Sequence, residues 1–262
     1  MSKKAVLVVG FGTRYESALK AIENIEKHVR EGFPDYDFFR VFTSDYIIKR
    51  LARDQGKEIM NVEAAFTYLR DNGYEELVVQ PTYINQGEEY TKIAEDFSQK
   101  SRYFKSFKIG KPLLSTEEDL EEIAGIIMRQ LPEKLDKDQA FILMGHGSKK
   151  APNTIYVKVQ EVFQKLGYDQ TYLATLDGEP GFGTILPKLT ERGIKKAYLM
   201  PFMVSAGDHA AVDMAGDGEN SWKNLLKAAG IDPVPMIRGL GEIDEAAKMY
   251  VAHAKDGEEL VR

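Results

Sequence analysis

The chain has 262 residues, 43% of them hydrophobic, with 22 glycines, which is enough apolar material for one large core or two modest ones and unlike a fibrous or disordered composition. Its 41 acidic residues outnumber 35 basic ones for a formal charge of −6, so no overall positive field exists to hold nucleic acid or an acidic membrane, and any anionic ligand must be met locally. The absence of cysteine excludes disulfides, thiolate metal sites and cysteine nucleophiles, leaving His, Asp and Glu as metal ligands.

In chain order, "MSKKAVLVVGFG" places lysines before an apolar run that is too short for a signal-peptide core and ends at a glycine turn, so it reads as a first strand. No segment approaches the roughly 20 apolar residues of a membrane span. A cytoplasmic protein with no membrane partner is expected. Helical spacing follows over 16–30, where Ala18, Ile22, Ile25 and Val29 share one face and His28 lies on the outer, solvated side. A second helix is expected over 62–72, then a strand in "ELVVQP" leading to "TYINQGEEY". The next helix spans 117–130, capped by Ser115 or Thr116, and the polar stretch 131–139 reads as a linker. Beyond it, the strand "AFILM" runs into "GHGSKK", a helix covers 153–166, and "ATLDGEPGF" makes another apolar-to-turn transition. "AYLMPFMVSAGDHA" repeats the strand, proline and Gly-acid order seen earlier, and a C-terminal helix carries His253 where a cation suits the helix dipole.

Short apolar runs alternating with helical stretches predict an α/β fold with parallel sheets. The two halves share one order of events: a strand enters a Gly-x-Gly loop, a helix follows, and a later strand ends in proline and a Gly-acid pair. Two similar domains are therefore expected, over 1–130 and 140–262, each a parallel sheet flanked by helices, with the last helix packing back across their junction. In register, Phe11 corresponds to His146 and Glu89 to His209. Open parallel sheets bind ligands at the carboxyl ends of their strands, so an active-site cleft between the domains is expected.

Three common motifs are ruled out. "GFGTRY" has Tyr15 where a dinucleotide fingerprint needs its third glycine, "GHGSKK" lacks P-loop spacing, and no Gly-x-Ser-x-Gly elbow occurs. His146 and His209 stand out instead. Each follows a strand and is flanked by glycine or small residues, which leaves the ring uncrowded; a loop histidine bonded to a carbonyl is the plainer alternative. With Asp177 or Glu179 they make a nitrogen and oxygen donor set suited to a borderline divalent metal such as cobalt, nickel, iron or zinc. Asp208 and Asp177 are the acids expected to act on the two imidazoles.

The stretches "LVVGFGTRY", "FRVFTSDYIIKRL", "GEEYTKI", "FILMGHGS", "LMPFMVSAGDHAAVDMAGD", "NSWK" and "RGLGE" together resemble the anaerobic-type sirohydrochlorin cobaltochelatases, of the class II tetrapyrrole chelatases, over nearly the whole chain. The resemblance implies a two-domain chelatase-like fold, insertion of Co2+ into sirohydrochlorin or precorrin-2 on the way to cobalamin, and no organic cofactor. It places the metal on His146 and His209. The carboxylate ligand, a glutamate in the family, falls on Asp177; Glu179 is the other candidate. Glu89 is the expected proton acceptor, with Glu88 beside it. Phe11, Gly12, Thr13, Arg14, Glu88 and Ser148 form the expected tetrapyrrole-binding set, and Lys149 a further anion contact. Ferrous iron insertion for sirohaem is the alternative within enzymes, and a metal or tetrapyrrole carrier the alternative outside them. The lack of a signal peptide counts against a periplasmic carrier. Homo-oligomer formation is left open.

Overall fold

The computed structural model describes residues 2–149 and 153–260; Lys150 of the "GHGSKK" loop lies outside the described residues. In chain order the elements are β1 (Lys3–Gly10), α1 (Glu16–Gly32), β2 (Asp37–Phe42), α2 (Asp45–Gln55), α3 (Val62–Asp71), β3 (Tyr74–Pro81), α4 (Glu88–Lys100), β4 (Ser106–Ile109) and α5 (Glu117–Met128). There follow β5 (Gln139–Gly147), α6 (Thr154–Lys165), β6 (Thr171–Asp177), α7 (Phe182–Glu191), β7 (Lys196–Pro201), a π-helical turn (His209–Met214), α8 (Trp222–Ala228), β8 (Asp232–Pro235), α9 (Asp244–Lys255) and β9 (Glu258–Glu259). They form two compact units, Met1–Ser115 with Gly241–Arg262, and Thr116–Leu240. Residues 131–139 thus run within the second unit, between α5 and β5, and α9 belongs to the first.

The first unit holds a sheet ordered β2-β1-β3-β4-β9, parallel except where β9 runs against β4. Ala5 to Val9 are buried without interruption, as a central parallel strand covered on both faces requires. Helix α1 turns Ala18, Ile22, Ile25 and Val29 inward, the stripe its spacing predicts. Its other side is not solvated as expected. Helix α9 packs there, so His28 is only 7% exposed, with Nδ1 3.4 Å from Glu31 and Nε2 3.3 Å from Asp244. The His28 ring, followed by Asn24, holds the Asp244 carboxyl below the usual range. An apolar stripe marks one buried face; the second was hidden because a polar histidine and Ala21 carry it.

The second unit holds a fully parallel sheet ordered β6-β5-β7-β8, the order of β2-β1-β3-β4 over again. The strand registers match as well. Val9 pairs with Pro81 in one sheet and Met144 with Pro201 in the other. Counting on from these pairs makes Phe11 the equivalent of His146, and Glu89 the equivalent of His209. The core of this unit gathers Ile142, Met144, Leu189, Leu199, Met214, Leu226 and the stacked rings of Phe182 and Trp222. Among the described residues no helix is long and apolar enough to cross a membrane.

Because Ile25 is completely buried on α1, Ile25→Ala is expected to cost about 2–5 kcal/mol, read as a lower urea midpoint. A change below about 0.5 kcal/mol, the scale of surface substitutions, would mean that α1 does not depend on this face.

Candidate metal and tetrapyrrole site

The second unit brings His146, Ser148, Lys149, Asp177 and His209 to the carboxyl ends of its strands. β5 is buried from Ala140 to Gly145 and then delivers His146 into solvent, so the histidine is not there to fill the core. Gly147 follows with φ +74°, and a Cβ there would overlap the Asp177 carbonyl oxygen. Only glycine lets β5 pass this close to the end of β6. The loop is tied down from below and beside: Gly147 N–H donates to the Tyr156 hydroxyl (3.3 Å), and Asn153 accepts from Ser148 N–H (2.9 Å) while donating to the Asp177 carbonyl (2.9 Å).

The rings of His146 and His209 meet edge to face, with centroids 4.9 Å apart and planes at 89°. Each Nδ1 has an oxygen partner: the Gly147 carbonyl at 3.1 Å for His146, and Asp213 Oδ2 at 2.7 Å for His209. A carbonyl and an ionised carboxylate can only accept, so in the neutral rings both Nδ1 atoms carry the proton. Both Nε2 lone pairs are thereby left for a ligand, the arrangement in which metal-binding histidines are usually found. An acid that meets His209 is Asp213, one turn on, which the sequence reading did not single out.

Asp177 is paired. The Lys149 ammonium lies 3.0 Å from its Oδ1 and holds the carboxyl below the usual carboxylate range, with smaller contributions in the same direction from His146 and His209. Lys149 therefore answers a carboxylate of its own unit. Glu179 closes its own turn, accepting from Gly181 N–H at 2.8 Å. Among the described residues no three His, Cys, Asp or Glu side chains gather as a metal-holding group; the assembled core of the site is a histidine pair with a lysine-bound aspartate beside it.

The first unit carries its own loops. Phe11 is 54% exposed after β1, a large aromatic offered to solvent. Gly12 has φ +96° and lies over the Phe42 ring, with no room for a Cβ. Thr13 Oγ1 accepts from Tyr15 N–H, and the exposed Arg14 guanidinium donates to the Tyr15 hydroxyl. At the start of α4, Glu88 pairs with Lys92 at 2.7 Å, whereas Glu89 accepts from the Tyr83 hydroxyl at 3.4 Å. That hydroxyl also meets Thr43 at 3.3 Å, and burial pushes it up to about 12. The Tyr83 carbonyl in turn accepts from the buried Tyr250 hydroxyl, so the residue behind Glu89 is fixed on both sides.

Asp213, Asn153, Tyr156 and Tyr83 were not found from the sequence. The first was visible as an i, i+4 partner of His209. The others are recognisable only once separate strands converge.

Residues 4–259 match the family described as cobalt chelatase (CbiK), and the chain belongs to that family. The sirohydrochlorin cobaltochelatase of Salmonella typhimurium is 33% identical over 252 residues, covering 96% of this chain and 95% of that one. Sirohydrochlorin cobaltochelatase CbiKC of Nitratidesulfovibrio vulgaris is 29% identical, over 97% of this chain and 90% of that one. Among solved structures, SirB from Bacillus subtilis with Fe3+ superposes with a TM-score of 0.68 at 15% identity, covering 97% of this chain and 95% of that chain. CbiX, the terminal enzyme of sirohaem biosynthesis in denitrifying bacteria, gives 0.56 at 15% identity, with 97% and 99% covered. At these identities the structural likeness concerns the fold, which is the two-sheet parallel α/β architecture expected.

The Lys149 contact sets a titration expectation. A nearby cation favours the ionised carboxyl, so Lys149→Ala is expected to raise the Asp177 pKa toward its ordinary value, followed by carbon NMR of the side-chain carboxyl. An unmoved titration would show that the ion pair does not persist in solution.

Proposed function

We propose that the protein inserts Co2+ into sirohydrochlorin, with the metal held by Nε2 of His146 and His209 and approached by Asp177. Membership of the cobalt chelatase family and two curated relatives named for this reaction support the substrate pair. The observation that carries the site is the histidine pair with both Nδ1 atoms bound to acceptors.

The reaction exchanges two pyrrole N–H protons for one divalent cation. Hydrated Co2+ sheds waters as its charge passes to four ring nitrogens, and two protons leave the macrocycle. A protein for this step must hold the metal long enough to aim it and weakly enough to let it go. Two imidazoles with a carboxylate engaged by lysine fit that need better than a closed ligand cage, because structural sites keep their metal by completing its coordination. Cobalt nearing Asp177 competes with the Lys149 ammonium for the same oxygen. Glu89, steadied by Tyr83, is the proposed proton acceptor. Glu88 contributes negative charge beside it, although acids in a first helical turn also suit the helix dipole and need no further role.

The tetrapyrrole carries many carboxylates on an apolar ring. Phe11 supplies an exposed aromatic face, while Thr13, Arg14, Ser148 and the backbone N–H groups of the Gly12 loop supply anion contacts. The reading requires no organic cofactor, and a cytoplasmic location belongs to the same proposal.

Anaerobic metallation of sirohydrochlorin by purified protein, with Co2+ and Fe2+ in parallel, tests it by absorbance. The wild type is expected to accelerate cobalt insertion above the metal-alone rate. His146→Ala and His209→Ala are each expected to lower the rate at least ~100-fold with the unfolding temperature unchanged. Asp177→Asn is expected to lose more rate than Glu179→Gln. Wild-type rates in both histidine variants would remove the pair from the reaction.

A further inference from the structure

We infer that Asp213 is a positioning residue of the metal site, deciding which nitrogen of His209 meets the metal. The inference rests on the reading of His146 and His209 as metal ligands. His209 opens a single π-helical turn, in which Ala215 N–H reaches back to the Ala210 carbonyl at 3.1 Å. Such turns are rare and costly unless tertiary packing holds them. Here Ala210 and Met214 are fully buried in the core of the second unit and anchor the turn. His209 and Asp213 are left on its open side, with side chains 47% and 46% exposed and Oδ2 of Asp213 2.7 Å from Nδ1.

A solvent-exposed pair of this kind adds little to stability, because water competes for both partners and salt screens them. Its effect on the imidazole is larger. A free neutral histidine in water favours the tautomer with hydrogen on Nε2, and that nitrogen then has no lone pair for a metal. A carboxylate on Nδ1 selects the opposite tautomer and holds the ring plane. The Gly147 carbonyl performs the same service for His146 through the backbone, where no substitution can remove it. His209 depends on a side chain for what His146 receives from the main chain. The two ligands thus differ in how they are set, and Asp213 is the one mutable half of the device.

Two measurements on the full-length protein separate this role from a structural one. Nitrogen-15 NMR of histidine-labelled protein, above the ordinary titration range of histidine, reads the tautomer of His209 without any metal present. Co2+ titration in the absence of tetrapyrrole, followed by its visible absorption, reads the affinity. In wild type, His209 is expected as the Nδ1–H form. Asp213→Leu is expected to shift it to the Nε2–H form and weaken Co2+ binding by about 10–100-fold, the usual effect of losing such a partner, at an unchanged unfolding temperature. Asp213→Asn, whose amide oxygen still accepts, is expected to keep the wild-type tautomer and most of the affinity. An unchanged tautomer and unchanged affinity in Asp213→Leu overturn the inference, as does a loss of affinity that Asp213→Asn shares in full. His209→Ala serves as the reference. If that variant binds Co2+ as well as wild type, the ligand reading fails, whatever Asp213 does to the tautomer.

Discussion

On the proposed reading, two hydrogen bonds to acceptor-only oxygens set the metal site. One runs from His146 to the carbonyl of Gly147, the other from His209 to the carboxylate of Asp213. Each removes the choice of tautomer from an imidazole that would otherwise take the wrong one. The rest of the second unit serves those bonds. β5 must end in two glycines so that His146 leaves the core beside β6, Tyr156 and Asn153 must hold the loop, and the π-helical turn must set Asp213 against His209. The exposed rings contribute little to holding the fold together, so the fold holds them rather than the reverse.

The repeated sheet order shows what duplication supplies and what it leaves free. The strand order and the register of β1 against β3 recur in β5 against β7, down to the proline that ends the later strand of each pair. The chemistry at equivalent positions has diverged: an aromatic, Phe11, where the second unit has His146, and an acid, Glu89, where it has His209. On the proposed reading, one scaffold offers a ring-binding face and a proton-accepting group in one unit, and nitrogen ligands in the other. A carrier would need no such acid, which favours the chemical reading over mere binding.

Much of this was legible in the residue order. The stripe Ala18, Ile22, Ile25, Val29 predicted the buried face of α1, and continuous apolar runs predicted the central strands, because those strands are covered on both sides. Edge strands were not visible. β8, "DPVP", has two prolines and survives only because its outer side needs no ladder bonds. His28 was misplaced on the solvated side of α1, since the helix that buries it arrives more than two hundred residues later. At the site, strand ends and flanking glycines pointed to His146 and His209, whereas Asp213, which meets His209 Nδ1, was not singled out. Lys149, expected as an anion contact, pairs with Asp177 of its own unit. Side chains at loop ends choose partners by convergence of strands, which spacing alone does not encode.

The central claim is that two imidazole nitrogens receive the metal. X-ray absorption at the cobalt edge, on protein loaded with one equivalent of Co2+ and no tetrapyrrole, counts them directly. Two imidazole scatterers at a first-shell distance of about 2.0–2.1 Å, the range for histidine nitrogen on a divalent metal of this size, are predicted in the wild type, falling to one in His209→Ala. A first shell made only of oxygen, identical in both proteins, would contradict the account.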